Sequence, residues 1–203
     1  ILPTAEVWRG RGPARLLQRA ERDLDGLKVT AVNGETTTLA GLLDETYADG
    51  FIVIKDGVIV YERYFNGMTD RTLHLSQSVA KSFTGTLAGI LAGRGIINLQ
   101  AAITDYLPEL SETAYAGATL QQVLDMTSGV RFDETYTDPY SEVGQIDVAS
   151  GWRPPPPDCD PQFKWPSHVF EVILRLTTLE RPHGDLFSYR SIETDVIAFC
   201  MER

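Results

Sequence analysis

The sequence predicts an α+β fold, and three features carry that prediction. Residues 50–65 read as a two-stranded antiparallel hairpin. Residues 76–94 follow a helical period built from small and apolar side chains. Helical patterns then recur over 119–126, 168–179 and 192–202, so the clear strands come early and the helices late.

The hairpin is the clearest element. Phe51-Ile-Val-Ile54 and Val58-Ile-Val-Tyr61 are β-branched and aromatic runs, which suit a pleated, half-buried surface. Asp56-Gly57 lies between them and favours the positive φ of a tight turn. Upstream, residues 1–25 open with Pro3 and Pro13 and carry a charged helical stretch over Ala14 to Leu24. Residues 28–32 read as a short strand, followed by a polar turn at Asn33-Gly34. Thr38 to Tyr47 reads as a short helix with Leu39, Leu42 and Leu43 on one face.

In the 76–94 helix, Phe83, Leu87, Ile90 and Leu91 recur at spacings of three and four. Ala80, Gly85, Ala88, Gly89 and Ala92 are small and would let other elements approach closely, which predicts a buried central helix. Between the helices at 119–126 and 168–179 lies an acidic, aromatic-rich stretch, Ser128 to Trp165, read as a long loop without secondary structure of its own. Its Pro154-Pro155-Pro156-Pro157 run reads as a stiff spacer.

Composition narrows the function classes. The chain has 203 residues, 43% hydrophobic and 23% charged, which suits a globular protein and excludes collagen, a disulfide scaffold or a wholly disordered chain. A net charge of -10 argues against nucleic acid as a partner, because phosphate contacts need a surplus of Lys and Arg. The longest apolar run, Leu87 to Ile97, is broken by Gly89, Gly93, Arg94 and Gly95 and is too short for a membrane span. Cys159 and Cys200 are far apart with no CxxC pair and read as two free thiols, a disulfide being the alternative. No signal peptide is visible, which tilts the compartment toward the cytoplasm. The chain stops at Arg203 inside a helical pattern without a stop signal, so the protein is expected to continue.

Ser78-Val-Ala-Lys81 is the only Ser-x-x-Lys in the chain. On a helix, residues i and i+3 share a face, so the hydroxyl and the amine can meet. A serine hydroxyl is a weak nucleophile until a neighbouring base takes its proton, and a lysine serves as that base only when burial or a helix dipole makes it neutral. An amide N–H at the start of the helix can also stabilise an oxyanion. The bland alternative is a capping Ser and a solvated Lys.

With that pair at the head of a small, apolar helix, the sequence resembles the serine β-lactamase and penicillin-binding protein superfamily. Gly95-Ile-Ile-Asn-Leu, followed by Ile103-Thr-Asp-Tyr-Leu-Pro-Glu-Leu110, is similar to the stretch after the nucleophile helix in that family. Leu124-Asp-Met-Thr-Ser-Gly129 resembles its LLxHTSG segment, with Met126 in place of the usual His. Phe187-Ser-Tyr189-Arg-Ser191 resembles the second motif, Tyr-x-Asn or Tyr-x-Ser, of the class C-like branch. Within that branch, the stretches from Phe132 to Trp152 and from Phe187 to Ile197 resemble the 6-aminohexanoate-dimer (nylon-oligomer) hydrolases.

The resemblance implies a β-lactamase/transpeptidase-like fold, an antiparallel sheet flanked by helices plus a helical subdomain. Residues 1–75 would be the N-terminal part of the α/β subdomain with hairpin 50–65, and residues 76–203 the mainly helical subdomain with the nucleophile helix. It implies a serine hydrolase acting through an acyl-enzyme on Ser78, assisted by neutral Lys81, with Tyr189 passing a proton to the leaving group. Tyr136 would hydrogen-bond the scissile amide, Asp147 would bind a substrate ammonium group, and Ser191 would line the site. Substrates would be small linear amides or short-acyl esters, and no cofactor is required. A β-lactamase or D,D-peptidase is one alternative, and a non-catalytic fragment or interaction module is another. Many relatives implied by the resemblance are exported.

The third motif, Lys-Thr-Gly, is absent: Lys28, Lys55, Lys81 and Lys164 are the only lysines and none precedes Thr-Gly. The sheet is therefore expected to be incomplete, with a C-terminal segment missing or supplied as a separate chain. His74, His168 and His183 show no HExxH spacing, so no metal site is expected. Asp133, Glu134, Asp138 and Glu142 lack calcium-loop spacing and read as a solvated face. Arg190 and Ser191 read as polar residues at a site edge, and Trp8, Trp152 and Trp165 as packing residues.

Overall fold

A computed structural model describes residues 5–8 and 10–203, and Pro3 lies outside them. The chain divides into two compact units, Ala5–Leu75 and Ser76–Arg203.

The first unit is built on the hairpin. Strands β4 (Gly50–Lys55) and β5 (Val58–Tyr64) pair antiparallel, and Asp56 and Gly57 take φ of 52° and 77° at the turn. Ala14 to Leu24 is not a helix. Instead β1 (Gln18–Arg19) pairs parallel with the free edge of β5, with Gln18 opposite Val58 and Arg19 opposite Ile59. The amides of Ala20 and Arg22 donate to Ile59 and Val60, so an open strand edge satisfies backbone groups that a helix would have paired internally.

Strand β2 (Lys28–Thr30) ends before the Asn33-Gly34 turn and pairs with β3 (Thr36–Thr38), a second strand the sequence reading missed. Thr38 closes β3 and also caps α1 (Leu39–Glu45), its hydroxyl accepting from the Gly41 amide at 3.1 Å. Leu39, Leu43 and Tyr61 form the small core of this unit, with Phe51, Val53 and Phe65 packed against them.

The second unit is helical. A 3-10 turn over Gln77–Val79 leads into α2 (Ala80–Gly93). The Ile103-to-Leu110 stretch forms α3 (Ile103–Tyr106) and a further 3-10 turn, Pro108–Glu112. Helix α4 (Leu120–Leu124) starts at a capping box in which Thr119 and Gln122 satisfy each other's backbone amides. The supposed structureless loop contains α5 (Glu142–Ala149), capped by Ser141, whose hydroxyl accepts from Gly144. Helix α6 (Val169–Leu174) ends before the expected Leu179, which joins Val130 in a β-bridge. Helix α7 (Glu193–Glu202) packs against α2 and α4.

Ile103, Leu107, Leu110, Tyr115, Leu120, Val123, Ile173, Ile192, Val196 and Ile197 make the buried core. Helix α2 is not the buried central helix expected. Only Ala88 is fully buried, while Phe83, Leu87 and Ile90 are 73%, 47% and 46% exposed. Its small-residue side, with Ala88 and Ala92, joins the core of the helical unit, and its large apolar side lies outside that core. Both cysteines are free thiols, Cys200 buried and Cys159 partly so. No helix among the described residues is long and apolar enough to cross a membrane.

Candidate active site

Ser78 lies in the 3-10 turn that leads into α2, two residues before its first residue, Ala80. Gln77 beside it has φ of 46°, a left-handed conformation that costs a non-glycine residue about 1–2 kcal/mol. Strain of this kind persists where surrounding structure fixes it, and sites of chemistry are common examples. Lys81 follows one turn later, and its Nζ lies 3.4 Å from the Ser78 Oγ.

The Tyr189 hydroxyl lies 2.7 Å from the same Ser78 oxygen, and the Lys81 Nζ stands 5.7 Å from the Tyr189 ring centroid. Burial pushes the Tyr189 phenol up, but hydrogen bonds with Ser78 and Ser191 and the Lys81 charge outweigh it. The net pKa lies below the ordinary 10. Tyr189, 111 positions from Ser78, thus brings an acidified phenol to a hydroxyl that Lys81 already flanks with an amine.

Tyr189 is held from beneath by its neighbour. Arg190 does not sit at a site edge: it is 1% exposed and points inward. Its Nε donates to the Val130 carbonyl, its Nη1 donates to the Ser188 carbonyl at 2.9 Å and lies 3.8 Å from Glu193. The Ser188 amide donates to the Met126 carbonyl. The turn at 187–191 is thereby fastened to residues 126–130, which Met126 (φ 53°) and Gly129 (φ 71°) bend into shape. A Cβ on Gly129 would fall 2.1 Å from the Arg181 carbonyl oxygen, so only glycine fits there.

Tyr136 and Ser191 join the same hydrogen-bonded row, with their hydroxyls 3.4 Å apart. Tyr136 is 56% exposed, and its phenol is raised, because its hydrogen bond with Ser191 lowers it less than Glu134 and burial raise it. Asp147, on α5, is in an ion pair with Arg153 at 2.6 Å and makes no contact with the other candidates.

Three carboxylates have surroundings that the sequence reading did not give them. Glu134 accepts from both the amide and the hydroxyl of Ser191. It is therefore not part of a solvated face, and neither is Glu142, which accepts from the Asp133 amide at 2.9 Å. Asp195, in the first turn of α7, is raised to about 6 by burial, against the attraction of the Lys81 charge. Its sequence signal, an acid in a first helical turn, is that of ordinary helix electrostatics. Among the described residues no cluster of His, Cys, Asp and Glu could hold a metal ion.

Comparison with known proteins identifies the family of the chain. Residues 38–198 match the Beta-lactamase family. The whole chain is 37% identical to the 6-aminohexanoate-dimer hydrolase of Paenarthrobacter ureafaciens, covering 48% of that protein. A solved structure from Bacillus anthracis, assigned as a 6-aminohexanoate-dimer hydrolase, superposes with a TM-score of 0.77 at 32% identity, over 93% of this chain and 48% of the other. A Beta-lactamase of Escherichia coli K12 is 40% identical over 62 residues, 30% of this chain and 16% of that protein. The chain thus spans about half the length of the 6-aminohexanoate-dimer hydrolases it matches. The family match over most of the chain, together with the 2.7 Å and 3.4 Å contacts on Ser78, leads to one conclusion: this chain belongs to the β-lactamase family and has its transpeptidase-like fold.

Proposed function

We propose that the chain carries the nucleophile and proton-transfer groups of a serine hydrolase that cleaves small linear amides or short-acyl esters. One observation carries the reading: the Ser78 hydroxyl is flanked by the Lys81 amine at 3.4 Å and the Tyr189 phenol at 2.7 Å. A hydroxyl so placed can lose its proton to the pair as it attacks a carbonyl. The Ser78 amide is one donor to the resulting oxyanion. Tyr189, acidified below the usual tyrosine range, delivers a proton to the leaving amine or alkoxide as the tetrahedral species collapses. Water, activated by the same pair, then hydrolyses the Ser78 ester.

The relative's name supplies the substrate class, since a 6-aminohexanoate dimer is a short linear amide. Tyr136 and Ser191 stand beside the nucleophile as substrate-contacting groups. Asp147 is assigned to a substrate ammonium group, for which it would have to exchange its Arg153 partner. We assign the second oxyanion donor to a strand bearing the third motif, Lys-Thr-Gly, which is absent from these 203 residues, so turnover is expected to need further chain, covalently attached or added separately.

The test is covalent labelling by a fluorophosphonate, read by intact mass and peptide mapping. Labelling at Ser78, lost in Ser78→Ala, supports the assignment; labelling that persists in that variant overturns it. A second reading, a β-lactamase, is favoured by the 62-residue match to the Escherichia coli enzyme. Faster turnover of nitrocefin than of p-nitrophenyl esters would select it.

A further inference from the structure

Glu134 has no role in the chemistry described so far, yet it makes two hydrogen bonds to one site residue. Its Oε1 accepts from the Ser191 amide and its Oε2 accepts from the Ser191 hydroxyl at 3.2 Å. Its charge also acts on the Tyr136 phenol, which it raises. The carboxylate thus grips the backbone and side chain of the residue two positions beyond Tyr189, while reaching the aromatic residue opposite.

The segment bearing Glu134 is itself stiff. The Thr135 amide and hydroxyl both donate to Asp133 Oδ1, at 2.9 and 2.6 Å. The Asp133 amide donates to Glu142, and the Val143 amide donates to the Asp133 carbonyl. The Ser141 hydroxyl donates to the carbonyls of Thr135 and Asp138. The turn folds so tightly over α5 that a Cβ on Gly144 would lie 2.4 Å from the Asp138 carbonyl oxygen. A loop anchored to α5 at one side therefore needs only one tie on its free side to hold Tyr136 in place.

We propose that Glu134 is that tie: a positioning residue that latches the 133–141 loop onto the Ser191 turn and so sets Tyr136 and Ser191 relative to the Ser78–Tyr189 pair. The assignment rests on Ser78 being the nucleophile. Only a two-oxygen acceptor of this length serves both Ser191 donors at once. Glutamine keeps one acceptor but turns an N–H₂ toward the other donor, aspartate keeps both acceptors on a shorter stem, and alanine removes both.

The experiment compares Glu134→Ala, Glu134→Gln and Glu134→Asp in the 203-residue chain by two measurements. Amide exchange at Ser191 reads the tie without any need for activity. The alanine variant is expected to raise it by about tenfold or more, with aspartate restoring much of the protection. Unchanged exchange in the alanine variant overturns the proposal. The rate and apparent affinity of fluorophosphonate labelling at Ser78 read the consequence. The alanine variant should lose about tenfold in rate constant over affinity, with the order parent, Asp, Gln, Ala. Raised exchange with labelling unchanged overturns the positioning role. A parent chain that is never labelled at Ser78 overturns the nucleophile assignment and with it the positioning role, while the exchange data still establish whether the tie exists.

Discussion

Replacing Glu193 by glutamine isolates the cost of a charge placed under the candidate site. Glu193 is 1% exposed. Its Oε1 accepts from the Ser128 hydroxyl, Arg190 Nη1 stands 3.8 Å away, and Oε2 has no hydrogen-bond partner. Burial raises the carboxyl from 4.5 to about 7, outweighing the Ser128 hydrogen bond and the Arg190 attraction. At about 1.4 kcal/mol per unit, that difference corresponds to about 3 kcal/mol between the two protonation states. The folded pKa lies above the unfolded one, so the folded state holds the extra proton. The associated stability is full below pH 4.5, declines as pH rises, and is gone above about 7. Glutamine cannot ionise and has no such slope. Urea unfolding followed by tryptophan fluorescence should therefore show the variant gaining about 3 kcal/mol on the parent between about pH 4.5 and pH 8. Asp195, raised to about 6, gives both proteins a shared residual slope that ends near that pH. A stability difference that stays constant across the window would refute the reasoning, because it would mean that Glu193 does not change its proton occupancy on folding.

Gly129→Ala should destabilise the helical unit by about 2–5 kcal/mol, since it adds a left-handed penalty to a clash with the Arg181 carbonyl; thermal melting reads it. Thr119→Ala removes the hydroxyl of the α4 capping box and should cost about 1 kcal/mol in the same assay. Tyr189→Phe keeps the ring and deletes the phenol, so labelling of Ser78 should slow by about 10²-fold with little change in melting temperature.

Much of the fold was legible because local rules and tertiary structure agreed. The Asp56-Gly57 hairpin needed only its turn chemistry and two β-branched runs. Helices α4 and α7 lay where periodicity put them. The failures share a cause in long-range pairing. Gln18–Arg19 became a strand because β5 offered an unpaired edge 40 residues away, which no window over Ala14 to Leu24 can contain. Thr38 read as the start of a helix because it caps one, and the strand that Thr36–Thr38 form depends on their partner β2 across the turn. At the site, Ser78 and Lys81 form a local i, i+3 pair and could be read directly, whereas Tyr189 was reached through a motif resemblance. Glu134 was misread as part of a solvated face and Arg190 as a residue at a site edge. Their partners, Ser191 and the carbonyls around Val130, lie 57 and 60 positions away, and charge alone does not say what a side chain is bonded to.

The bare side of α2 governs how this stretch of chain behaves in solution. Phe83, Leu87 and Ile90 form an oily stripe one helix turn apart, with Val79 61% exposed at its head. Opposing its adhesion is the net charge of -10, which repels other copies over the Debye length. That length shrinks from about 30 Å at 10 mM salt to about 8 Å at physiological ionic strength. Salt thus sets the balance between colloidal repulsion and hydrophobic attraction. Light scattering should show dispersed particles in dilute buffer and growing clusters as salt is added, and Leu87→Glu should remove the clustering without unfolding the helix.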